Sequence, residues 1–185
     1  MRILAVPGSL RAASINAALL RAAARLAPDG VVVTVETALG RLPLFNPDDA
    51  GRPPAAVVEF HARVADAQAL LIASPEYAHG VTGTLKNALD WLVGFEPFAY
   101  KHVGVLNASP RARHADAALR ETLRTMAAVI VEPASISLPL LGAQFDADAM
   151  RTTDWVATPV RAALAALVDA VERDRQARDA TFPIG

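Results

Sequence analysis

Cysteine is absent from the 185 residues of this chain. That excludes disulfides, thiolate metal sites and a cysteine nucleophile, so any redox chemistry must be carried by a bound cofactor. An excess of one charge is also lacking: 18 basic residues stand against 19 acidic ones, for a formal net charge of −1. Such a balance leaves neither the electrostatic footprint of a nucleic-acid binder nor a polybasic membrane patch. No apolar run approaches the roughly 18 residues that a membrane-spanning helix requires. No His, Asp and Glu cluster has metal-ligand spacing. Ser9 has no base–acid pair nearby, which argues against a hydrolase triad. Neither GxGxxG nor GxxxxGK[ST] occurs, so the dinucleotide fingerprint and the P-loop both fail.

What is present is a 53% hydrophobic chain, long enough for one layered domain without staples. There is no internal repeat and no low-complexity linker, and residues 1–185 read as a single domain. Its last eight or so residues, ending "DATFPIG", read as a loose or partner-bound tail. The first 28 residues hold four arginines and no acid, and "INAALLRAAARLA" is amphipathic, as in a mitochondrial transit peptide. The same residues supply a first strand, a first helix and the best motif in the chain. A cytoplasmic protein is therefore the expectation.

Strands and helices alternate throughout. Arg2–Val6 is a nearly continuous apolar run, as in a strand buried on both faces. Ser14 caps a helix that reaches Leu26, where Pro28-Asp29-Gly30 stops it. A second strand covers 31–36, prolines mark the loop that follows, and a helix runs over 55–67. A third strand covers 69–74, a helix 83–92, a fourth strand 102–109 and a helix 116–128. Residues 129–140 carry a fifth strand, and a closing helix spans 155–175. Five βα units in a row imply a parallel sheet with helices on both faces. Ligands of such sheets bind beyond the carboxyl ends of the strands, where strand order reverses. The loops after strands one, three and four are the ones to inspect.

The first of these is "PGSLRAASIN", residues 7–16. Gly8 allows a sharp exit from the strand. Ser9, Arg11, Ser14 and Asn16 then offer hydroxyls, a guanidinium and an amide at a helix N-terminus, where free N–H groups favour a phosphate. An ordinary capped turn with a solvated Arg11 fits the same residues. The second loop opens "SPEYAHGVTGTLKNALDWL", residues 74–92. Pro75 and Gly80 shape a backbone whose amides can face a planar ligand, and Tyr77 can lie against it.

Together, "GSLRAASIN" and "PEYAHGVTGTLKNALDWL" resemble the NADPH-dependent FMN reductase family, which includes quinone, azo-dye and chromate reductases. The likeness extends over most of residues 1–140. It implies an α/β, flavodoxin-like three-layer sandwich with a five-stranded parallel sheet in the order 2-1-3-4-5. It also implies FMN as cofactor, NADPH or NADH as co-substrate, a quinone-like or other small acceptor, and a homodimer or homotetramer. By this resemblance Ser9, Arg11, Ser14, Ile15 and Asn16 bind the FMN phosphate. Pro75, Glu76, Tyr77 and Ala78 meet the isoalloxazine and ribityl chain, and Ser109 approaches the ring. No catalytic side chain is implied. Ala78 stands where the family has Asn, removing a side-chain amide, and Thr82 stands where proline is common, which should loosen the start of the next helix.

The third loop, "NASPRARHADAALR" (107–120), has arginines and His114 in place of the family's glycines. Arg111 and Arg113 either meet an anionic group, such as an NADPH phosphate, or form a solvated basic surface. A flavodoxin-type electron carrier is the first rival reading, but this chain lacks the Thr/Ser-rich phosphate loop and acidic surface of such carriers. A flavin-free regulatory domain is the second, supported only by the altered third loop. Lys86 and Asp90 should pair along a helix face, and His61 and His102 read as structural. In "DWLVGFEPFAY" (90–100), Trp91, Leu92, Phe95, Phe98 and Tyr100 form either core or a subunit contact.

Overall fold

A computed structural model describes residues 1–143 and 145–181. The chain opens with β1 (Arg2–Pro7), whose side chains alternate between two cores, Ile3 and Ala5 in one, Leu4 and Val6 in the other. Helix α1 (Ile15–Arg25) follows, then β2 (Val32–Val35), α2 (Ala55–Asp66) and β3 (Ala69–Ala73). A small antiparallel hairpin, β4 (Glu76–Tyr77) and β5 (Gly80–Val81), precedes α3 (Gly83–Asp90). The remainder is β6 (His102–Asn107), α4 (Arg113–Thr125), β7 (Val129–Ile130), β8 (Ile136–Ser137), α5 (Ala147–Thr152) and α6 (Asp154–Thr181).

The main sheet is parallel and ordered β2-β1-β3-β6, with β7 and β8 both pairing along the far side of β6. With β7 and β8 counted as one interrupted strand, this is the order 2-1-3-4-5 of a flavodoxin-like sheet. One core takes α1, α5 and α6, with Leu19, Leu20 and Leu164 fully buried. The other takes α2, α3 and α4, with Phe60, Leu85 and Leu123. Three layers result.

The fifth strand departs from the sequence expectation, and Pro133 is the reason. Proline has no N–H for the ladder, and Glu132–Ala134 form a 3-10 turn instead. Ser135 repairs the gap: its Oγ accepts from the Val105 amide at 3.1 Å and donates to Val131 O at 3.0 Å. Gly104 makes room for the turn, since a Cβ there would lie 3.0 Å from both Ala134 O and Leu71 Cδ1.

Other elements also differ. Helix α4 starts three residues earlier than the composition of its first turn suggested, and α5 and the hairpin were not anticipated. Helix α6 continues to Thr181, so residues 179–181 are helical rather than a loose tail. Residues 182–185, the rest of that tail, lie outside the described residues. In segment 90–100, Trp91, Leu92 and Phe98 are at most 3% exposed, which decides for core over subunit contact at these three residues. Val93 and Tyr100 are exposed. His61 bonds to Trp91 O at 2.7 Å and stacks on Phe95, and His102 is buried, which holds its imidazole below the usual range. Both are structural. Lys86 and Asp90 pair as expected.

Candidate functional site

The strand order reverses between β1 and β3, and the loops after β1, β3 and β6 gather beyond their carboxyl ends. There they enclose a cleft of about 420 Å³, within the ordinary range for small-molecule sites.

Gly8 is indispensable to this meeting for a reason other than turn geometry. A Cβ on Gly8 would fall 2.3 Å from Ser74 Oγ and 2.9 Å from Ser74 Cα, so only glycine lets the first and second loops touch. The Gly8 amide donates to Ala73 O at 2.8 Å. On the other side of the peptide, Gly8 O accepts from Thr82 Oγ1 at 2.6 Å. Thr82 Oγ1 in turn accepts from the Leu85 amide and caps α3. Thr82 is 5% exposed. It therefore ties the first loop to α3 rather than loosening the helix start, a correction to the sequence reading.

The first loop places Ser9, Arg11, Ser14, Ile15 and Asn16 on the walls of the cleft. Ser14 Oγ accepts from the Ala17 amide and Ser14 O from the Ala18 amide. The Ile15 and Asn16 amides, ahead of them in the first turn, have no intrahelical acceptor. No acid stands in that turn and Arg11 is exposed beside it, so the helix end favours an anion. Asn16 is 4% exposed, and its Oδ1 is buried with no hydrogen-bond partner among the described residues. An orphan acceptor in a cleft wall costs free energy unless a donor reaches it. A phosphate dianion has no proton to donate, whereas a ligand hydroxyl does.

In the second loop, Pro75, Glu76 and Tyr77 line the cleft, with Tyr77 60% exposed. Ala78 does not. It sits at the hairpin tip with φ 49°, followed by His79 at φ 61°. Two successive left-handed residues make the turn that suits a two-residue hairpin, which favours Asn and Gly. The family's Asn at this position thus has a backbone reason, and Ala78 fills it at a cost in strain.

The third loop is not a loose basic stretch. Asn107 is 7% exposed; its Oδ1 accepts from the Ser109 amide at 2.9 Å and its Nδ2 donates to Ala112 O at 3.2 Å. Ser109, also buried, and Arg111 line the cleft, whereas Arg113 lies in the first turn of α4 with Nε near Pro110 O. The loop therefore brings Arg111, and not Arg113, to the site. Glu76 Oε2 accepts from the Ala115 amide at 2.9 Å. That N–H, with His79 and His114 nearby, holds the Glu76 carboxyl below the usual range. The N-terminus of α4 is consequently filled by a carboxylate while that of α1 stands open.

Sequence reasoning missed Asn107 and Leu141 as cleft residues. Asn107 carried a signal, a lone amide closing a strand before Ser-Pro. Leu141 carried none, because the chain reaches the cleft only after the interrupted fifth strand. Among the described residues, no group of three His, Cys, Asp or Glu could hold a metal ion. The donor set fits FMN: an open helix end with a guanidinium for one phosphate, an orphan acceptor for a ribityl hydroxyl, and backbone loops for a planar ring.

A sequence profile described as NADPH-dependent FMN reductase matches residues 1–140. An NAD(P)H-dependent FMN reductase of Pseudomonas aeruginosa is 40% identical over 113 residues, covering 59% of this chain and 60% of the relative. A probable NADPH:quinone oxidoreductase of Oryza sativa is 44% identical over 96 residues, 49% of this chain and 47% of the relative. The matched stretch thus spans less than two thirds of these relatives. In structure, the flavoenzyme NAD(P)H:acceptor oxidoreductase FerB of Paracoccus denitrificans aligns with a TM-score of 0.76 at 27% identity, covering 93% of this chain and 97% of that one.

Proposed function

This chain belongs to the NADPH-dependent FMN reductase family, and we propose that it is an FMN-dependent NAD(P)H oxidoreductase acting on a quinone or another small acceptor. FMN, when bound, supplies the hydride chemistry. The protein supplies binding, orientation and the electrostatics around the ring. Arg11 and the Ile15 and Asn16 amides would hold the phosphate, the Ser9 hydroxyl would assist, and Asn16 Oδ1 would take a ribityl hydroxyl. The backbone of Pro75 to Tyr77, with the Glu76 side chain turned to the Ala115 amide, and Ser109 would flank the ring, and Arg111 would meet an anionic group of the co-substrate. No side-chain acid or base is required for hydride transfer, and none is assigned.

The observation that carries this reading is the convergence, in one cleft, of an open helix end, an orphan acceptor and two backbone loops. The names of the matched relatives support it. The absorbance spectrum of the purified protein, followed by NADPH oxidation with a benzoquinone, tests it. A yellow protein with rapid turnover is expected. A protein that is purified colourless and leaves FMN fluorescence unchanged on titration overturns the reading in favour of a flavin-free domain, and a flavin-bound one without turnover points to an electron carrier.

We read residues 1–185 as one such unit, and a homodimer or homotetramer as its assembly, with Val93 and Tyr100 exposed in segment 90–100. No helix among the described residues is long and apolar enough to cross a membrane. We read the setting as cytoplasmic, with β1 and α1 both packed into one core of the domain.

A further inference from the structure

Helix α4 has a cap that its own neighbourhood does not supply. Ala112, the residue before the helix, offers no side-chain acceptor to the orphan amides of the first turn. Glu76, 39 residues earlier in the chain, reaches across and accepts from the Ala115 amide at 2.9 Å. Its other oxygen is 3.0 Å from His79 Nδ1, and the His79 ring meets His114 of α4 edge-on at 4.4 Å. The Glu76 side chain is only 14% exposed. Both hairpin strands pack against α4. A carboxylate at a helix N-terminus is favourable in itself, but this one also bridges two walls of the cleft, since Glu76 and Ala112 both line it.

We propose that Glu76 is a positioning residue. Through the Ala115 amide it locks the third loop, with Ser109 and Arg111, against the hairpin, and so sets the part of the cleft that admits the hydride donor and the acceptor. The lock itself follows from geometry, while what it admits rests on the functional reading above. Glu76 is thereby separated in role from Arg11, which serves the phosphate at the other helix.

Glu76→Ala and Glu76→Gln, compared with the parent chain, test this by three measurements on the full chain as purified. Hydrogen exchange at the Ala115 amide should accelerate roughly tenfold or more in Glu76→Ala, because the amide loses its acceptor. Glu76→Gln keeps an acceptor oxygen and should retain most of the protection. FMN affinity, read by flavin fluorescence, should change by no more than about threefold in either variant, because the open end of α1 is untouched. In FMN-saturated protein, Glu76→Ala should raise KM for NADPH roughly fivefold with a smaller change in kcat, and Glu76→Gln should restore most of it. Unchanged Ala115 exchange in Glu76→Ala overturns the lock. A fall in FMN affinity with KM unaltered overturns the positioning role and makes Glu76 a flavin contact. Should the parent chain bind no FMN, the functional reading fails, and the exchange arm alone still decides the lock.

Discussion

Two helix N-termini face one cleft and are finished in opposite ways. Helix α1 is capped from within, by Ser14 on the Ala17 amide, and keeps its first two amides open. Helix α4 is capped from afar, by Glu76 on the Ala115 amide, so a carboxylate of the chain itself already supplies the negative charge at that end. A local cap leaves a helix end available for a ligand, whereas a carboxylate from another loop closes it and fastens two loops together. On the proposed function, the difference favours a phosphate at α1 and leaves α4 an architectural duty.

The sharpest way to break that contrast is Arg11→Ala. It should weaken FMN binding by about 1.5–3 kcal/mol, the range for a hydrogen bond to a charged group, with little change in melting temperature. Isothermal titration reads it directly. Unchanged FMN affinity in Arg11→Ala would mean that the phosphate is not bound at α1.

Next in size is Thr82. Its hydroxyl caps α3 and donates to Gly8 O, so Thr82→Val should cost about 1–2 kcal/mol in urea denaturation. Restoring the family's proline, Thr82→Pro, removes the donor to Gly8 O and should also lower stability. A stabilised proline variant would show that the tie to the first loop contributes nothing.

How far the sequence alone leads divides along the same line. The strands Arg2–Pro7 and Ala69–Ala73 announce themselves as apolar runs, and Ser14 announces α1, because the interactions involved lie within a few residues of one another. The start of α4 was misplaced because its cap comes from Glu76. The role of Gly8 was misjudged because the atom that forbids a Cβ there belongs to Ser74. Thr82 was misread because its partner is the Gly8 carbonyl. The break in the fifth strand was missed although its cause is local: Pro133 stands in the middle of "VIVEPASIS".

Arg111 and Arg113 differ in placement, and their substitution separates an arginine of the cleft from an arginine of the helix. Arg111→Ala should lower the NADPH over NADH preference in kcat/KM by about fivefold, roughly 1 kcal/mol for a screened arginine–phosphate contact. Arg113→Ala should leave the ratio in place. Added salt should shrink the Arg111 effect, since surface contacts are screened. The same ratio in both single variants at low and high salt would make the whole loop a solvated surface.

A smaller effect, of opposite sign, is expected at the hairpin. Ala78→Gly relieves a left-handed residue with a Cβ and should stabilise the protein by about 0.5–1 kcal/mol. Thermal unfolding reads it. If Ala78→Gly is destabilising, strain at the tip is not what the family's Asn relieves.

The smallest effect is a slope against pH, and it belongs to the cap that comes from afar. The Ala115 amide, then His79 and the charge of His79 and His114, hold the folded-state Glu76 pKa below its ordinary 4.5, against a counteracting contribution from burial. A carboxyl lowered on folding binds fewer protons in the folded chain than in the unfolded one, so stability rises with pH across that interval. The contribution is fully present above 4.5 and is lost as pH falls through the lowered folded value. Glu76→Gln cannot titrate. The stability difference between the parent chain and Glu76→Gln, measured by urea denaturation, should therefore be flat from neutral pH to about 5 and shrink only below 4.5. A difference that has already closed well above pH 5 would mean that the ionised carboxylate on the Ala115 amide does not hold the third loop to the hairpin. The contrast between the two helix ends would then reduce to one capped helix and one exposed to solvent.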